Sequence, residues 1–173
     1  MTKRPATDPI DLVFAETDRT DAILVVERKK LHVNKALLSC HSDYFHTLFN
    51  SDFKEKSLPE IEIKDVKFED FATLLSLVQK NPIAPTAETA ESILKLADRF
   101  MLPAAKRHVE PFLMVSEMKN LEKLELADKY DLNFLLVDTL KKLDKYGIRP
   151  TEKFSKFSDK TKARVLDRMI ELN

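Results

Sequence analysis

Two rhythms of apolar and polar residues run along the chain, a period near two around 22–33 and 60–64 and a period between three and four over most of the rest. Ala22-Ile23-Leu24-Val25-Val26 is apolar and β-branched, and Leu31-His32-Val33 follows the charged stretch Glu27-Arg28-Lys29-Lys30. This predicts a β-hairpin whose turn has neither Gly nor Asn. Glu60-Ile61-Glu62-Ile63-Lys64 alternates strictly and reads as a strand with one wet face. Ile10 to Ala15 reads as a short edge strand, although so brief a run also suits one helical turn. Residues 1–9, polar and with two prolines, read as a loose arm.

The helical rhythm begins at Asn34, a candidate N-cap for a helix through Ala36, Leu37 and Leu38. In a second helix, Tyr44, Phe45, Leu48 and Phe49 share one face. Phe68, Phe71, Leu75 and Val78 form the stripe of a third, which Pro82 must end. Helix is expected from there on, with breaks near Pro103, Ser116, Asp131 and Gly147 to Pro150. Within it, Leu94 to Leu102 matches Leu124 to Leu132 at an offset of 30 in Leu, Leu, Ala, Asp and Leu. A period of that length is one helical hairpin, which buries its apolar face only by stacking on the next.

Composition narrows the chemistry. At 173 residues the chain has room for one ordinary domain with a helical extension. Its 43% apolar content supports a packed core, which at this size buries roughly 70% of the unfolded surface. Lys plus Arg equal Asp plus Glu at 29 each, so long-range attraction to nucleic acid or anionic lipid is weak. Gly147 is the one glycine, which excludes the glycine-rich phosphate cradles of most nucleotide-driven enzymes. One cysteine, Cys40, allows no internal disulfide, and neither a secretion signal nor a bilayer-length apolar run is present. These features point to a cytoplasmic or nuclear address, or both.

Cys40, His41 and His46, with His32 nearby, invite a zinc or thiol-catalysis reading, but neighbours on a helix point about 100° apart and structural zinc sites gather cysteines from paired loops. Cys40 is expected as a small buried hydrophobe and His108 at the surface. No catalytic group, metal or cofactor is expected. The basic residues Arg149, Lys153, Lys156, Lys160, Lys162 and Arg164 read more readily as a solvated face than as a phosphate-binding patch. Phe154 and Phe157 either dock the last helix or form a partner-binding strip. Asn50 to Ser57 is a polar connection with one large aromatic, Phe53, which either folds back into its own core or stays out because a partner supplies the pocket.

Residues 20–146 resemble the BTB/POZ domains, and especially the BTB portion of MATH-BTB proteins. The resemblance is carried by Asp21 to Val26, Leu31 to Ser39, Ser42-Asp43-Tyr44-Phe45, Leu48-Phe49 and the later Leu94, Ala97, Asp98 and Phe100. Asn34 stands where most members have His. The resemblance implies an α+β BTB fold: a small three-stranded mixed sheet flanked by helices, followed by C-terminal helical hairpins. It divides the chain into an arm at 1–19, the BTB/POZ domain at 20–115 and a three-box or BACK-like helical extension at 116–173. It further implies a non-enzymatic homodimeric adaptor that docks cullin-3 and presents a substrate for ubiquitination.

By the same resemblance the cullin-binding residues are Phe53, Lys54 and Glu55, a hydrophobic-x-Glu motif, with Tyr44 and Phe49. The dimer interface falls on Leu12, Phe14, Leu37, Leu38, His41 and Tyr44, residues that equally suit a core. Val78-Gln79-Lys80-Asn81-Pro82 departs from the aromatic helix ending of cullin-binding members. The alternative is a cullin-independent BTB scaffold. No MATH, kelch or zinc-finger sequence accompanies the domain, so either the chain is a fragment of a longer protein or the substrate surface is something short, for which 148–173 is the candidate; alternatively that segment packs as a capping helix with Val165, Leu166, Met169 and Ile170 inward.

Overall fold

The computed structural model describes residues 8–50, 60–143 and 152–172, with the side chains of Glu152 and Lys153 excepted. The chain divides into two compact units, residues 1–108 and 109–173, with the division inside one helix, α6 (Pro103–Val115).

The first unit is built on a three-stranded mixed sheet of order β2-β1-β3. Strands β1 (Ala22–Val26) and β2 (Lys29–Val33) form the expected hairpin, with Ala22 opposite Val33 and Val26 opposite Lys29. Its two-residue turn places Glu27 and Arg28 in the left-handed region, at φ 47° and 66°, the geometry that usually recruits Asn-Gly. A long-range contact compensates at Glu27, whose carboxylate accepts the Phe68 amide at 3.1 Å. That bond caps α4 (Phe68–Ser76), whose own N-cap residue, Lys67, makes no side-chain cap. Strand β3 (Glu60–Glu62) runs parallel to β1, pairing Leu24 with Ile61.

Before the sheet, residues 9–13 form helix α1 (Pro9–Val13) and not an edge strand. Asp8 accepts the Ile10 amide at 2.9 Å and Pro9 occupies the first turn, where its missing N–H costs nothing. Asn34 caps α2 (Lys35–His41) as expected, accepting from the Leu37 amide at 2.8 Å. Its amide nitrogen also donates to the Arg19 carbonyl at 2.7 Å. Helix α4 ends at Ser76, well before Pro82. The chain tightens there through short-range bonds from the Leu77 and Gln79 amides to the Leu74 and Ser76 carbonyls.

The internal repeat is a repeated way of ending a helix. In α5 (Ala87–Arg99) the Leu102 amide donates to Ala97 and the Met101 amide to Asp98, with Met101 left-handed at φ 48°. In α7 (Asn120–Lys129) the Leu132 amide donates to Ala127 and the Asp131 amide to Asp128, with Asp131 at φ 53°. Both are Schellman closures made without glycine. The buried Leu102 and Leu132 supply the apolar contact that usually accompanies the motif.

The second unit pairs α7 with α8 (Asn133–Lys142) as a helical hairpin, followed by the short α9 (Glu152–Ser155) and by α10 (Asp159–Glu171). Two buried charges organise it. Glu110 accepts the Leu135 amide at 2.9 Å, capping α8, whose own N-cap Leu132 has no side chain for the task. Lys123, buried, donates to the carbonyls of Met114 at 3.2 Å and Ser116 at 2.8 Å, where a cation meets the negative end of α6. Phe157 is buried, with Phe154 edge-on to it at 6.1 Å. In α10, Val165 faces inward, but Leu166 and Ile170 are exposed, so the capping-helix alternative with all four apolar positions inward does not hold for those two.

Candidate protein interaction surfaces

The hydrophobic-x-Glu motif, Phe53-Lys54-Glu55, lies outside the described residues; what is described is the platform before it. Ser42 builds the start of α3 (Asp43–Asn50): its hydroxyl accepts the Phe45 amide at 3.1 Å and donates to the Phe100 carbonyl at 2.6 Å. That second bond ties the helix to the end of α5, 58 residues away. Phe45 and Phe49 are buried, Phe45 stacking on Phe49 at 5.9 Å and on Phe100 at 5.9 Å. Tyr44, half-buried, stands edge-on to Phe45 and Phe100 at 5.2 and 5.0 Å. An aromatic cluster with several ring pairs at such distances holds α3 as a rigid support.

The residues expected at a dimer interface separate into two groups. Phe14 and Leu38 are enclosed by their own unit, Leu38 at 0% exposure, and present no surface to a second chain. Phe49, expected to help bind a cullin, is buried in the same way. Leu12, by contrast, is 67% exposed on α1, while Leu37, His41 and Tyr44 are half-buried. Leu37 also lines, with Val13, His32 and Val78, a groove of about 390 Å³.

Cys40 is exposed, contrary to the expectation of burial, because the inward face of α2 is taken by Leu38. His108 lies at the surface, as expected. Among the described residues no group of three or more His, Cys, Asp or Glu is placed to hold a metal ion, and no helix is long and apolar enough to cross a membrane.

One family match spans the sheet, the aromatic platform and the helices up to α6. The BTB/POZ domain family matches residues 10–117. The chain belongs to the BTB/POZ family. A BTB/POZ domain-containing protein of Caenorhabditis elegans is 38% identical over 168 residues, covering 94% of this chain and 53% of the relative. BTB and MATH domain-containing protein 38 of the same organism is 33% identical over 167 residues, covering 94% and 43%. The BTB/POZ chain thus spans about half the length of these relatives. Among solved structures, the BTB domain of human gigaxonin covers 65% of this chain and 98% of its own, at 22% identity and a TM-score of 0.47.

Sequence reasoning left one feature of this BTB/POZ chain open, between strand and helical turn, and missed two others. Helix α1 was signalled by Asp8-Pro9, an N-cap followed by an N1 proline. The capping of α4 by Glu27 and of α8 by Glu110 had no local signal, because each joins segments tens of residues apart.

Proposed function

We propose that this chain is the BTB portion of a homodimeric adaptor that docks cullin-3 and brings a protein substrate to a ubiquitin ligase. Supporting this is Phe53-Lys54-Glu55, placed directly after a helix rooted by Phe45 and Phe49, in a BTB/POZ chain related to MATH-containing members. The aromatic serves as the anchor that fills a cullin pocket, and Glu55 fixes register. Lys54 and Tyr44 border the contact. The dimer forms through the exposed part of α1 and the half-buried residues of α2 and α3. A second reading, a cullin-independent BTB scaffold, draws on Val78 to Pro82, which carries no aromatic where cullin-binding relatives have one.

Calorimetric titration with the N-terminal domain of cullin-3 separates the two. Wild type is expected to bind, and Phe53→Ala to cost about 2–4 kcal/mol of binding without changing the thermal midpoint. A folded wild type that gives no binding heat and no complex by gel filtration makes the chain a cullin-independent scaffold. A variant that loses stability in step with affinity makes Phe53 a core residue.

A further inference from the structure

Helices α8 and α10 enclose a cleft of about 230 Å³, lined by Val137, Leu140 and Lys141 from one side and Arg164, Asp167, Arg168 and Glu171 from the other. Val137, which lines it, is 41% exposed, and Phe134, one turn earlier on α8, is 75% exposed. Arg168 is already committed, donating to Glu171 at 3.0 Å and to the Lys141 carbonyl at 3.2 Å. Lys141 and Arg164 have no carboxylate partner among the described residues. Arg164 Nη1 and Arg168 Nε are shut off from water with no acceptor among the described residues, a costly state for charged donors.

The cleft therefore combines an apolar wall with a positive balance among its described lining residues, Arg168 being paired with Glu171 and Lys141 and Arg164 standing against Asp167. Its own free carboxylate, Asp167, offsets one charge and leaves the balance positive. We infer that the α8/α10 cleft is a docking site for a partner-protein segment in which a carboxylate side chain neighbours a large aliphatic or aromatic one. The apolar side chain lies against Val137 and Leu140, and the carboxylate meets Arg164 and Lys141, where a charge-assisted bond is strongest because the surroundings are partly dry. The inference goes beyond cullin docking, since it uses none of residues 53–55 and stands whether or not a cullin binds.

The test is selection of random dodecapeptides displayed on phage against the full chain, with affinities of fluorescein-labelled winners read by fluorescence polarisation. Enriched peptides are expected to pair Asp or Glu with a large apolar residue. Their affinity is expected to fall about tenfold with Arg164→Gln, and by a similar factor when the peptide carboxylate becomes an amide. Lys141→Gln, a change at an exposed side chain, is expected to weaken binding severalfold and guards against a folding defect at Arg164. Asp167→Asn is expected to tighten binding, which a merely apolar groove would not show. The inference is overturned if no peptide is enriched, or if the winners are indifferent to Arg164, Lys141 and Asp167. It is overturned equally if sedimentation shows that Arg164→Gln dissociates a dimer, because the cleft is then covered by a second copy of the chain.

Discussion

Leu38 and Leu12 have the same side chain and opposite fates. Leu38 lies within α2, whose inward face closes over it completely, while Leu12 projects from a one-turn helix with most of its surface in water. The BTB resemblance places both at a dimer interface, and of the two only Leu12 offers an accessible side chain. Leu38→Ala is expected to remove about 2–5 kcal/mol of folding stability, the usual cost of a lost buried isobutyl group and the cavity it leaves. Urea unfolding checks it, and a loss below about 1 kcal/mol would mean that the site collapses to fill the space.

At the scale of elements, three helices are held at their starts by residues from distant segments. Glu27 caps α4, Glu110 caps α8, and Asp128 of α7 holds the start of α10. At that last junction Asp128 accepts the Ser158 amide at 3.0 Å and the Ser158 hydroxyl as well, while Ser158 caps α10 through the Thr161 amide. Burial opposes the charge on Asp128, but hydrogen bonds from Ser158 and Thr161 and the nearby Lys162 outweigh it and hold the carboxyl below its ordinary value. A carboxyl whose pKa is lower folded than unfolded stabilises the fold above the unfolded value, near 4, and loses that contribution as pH falls through the folded value. The attachment of α10 is therefore expected to loosen below about pH 4, and Asp128→Asn to remove that part of the pH dependence. Amide hydrogen exchange in α10 measured across the acid range reads it; identical profiles for both proteins would place the acid sensitivity elsewhere.

For the whole molecule, the prediction concerns assembly. Under the homodimer proposal, Leu12→Glu places a charge where the α1 surfaces meet and is expected to give monomers by light scattering with the circular dichroism spectrum unchanged. A variant that remains dimeric moves the interface away from α1. The half-length coverage of the relatives leaves substrate selection outside what family membership alone assigns.

Much of the architecture was legible in local patterns. The β1–β2 hairpin, the Asn34 cap, the aromatic face of α3 and the helix breaks at Pro103, Ser116 and Asp131 are each written within a few consecutive residues, where period and capping chemistry act. The repeat at an offset of 30 was visible as well, and its cause, two Schellman closures, is local too. Tertiary structure decided the rest. Nothing near Glu60 says that β3 runs parallel to β1, and nothing near Cys40 or Ile170 says that these apolar side chains face water. Pairing and burial depend on which distant segment arrives to cover a face, and a periodic pattern marks a face without naming what covers it. The sequence alone determined which elements form and where most of them end; the assembled chain determined which apolar faces were left uncovered, because burial is a property of all the segments together.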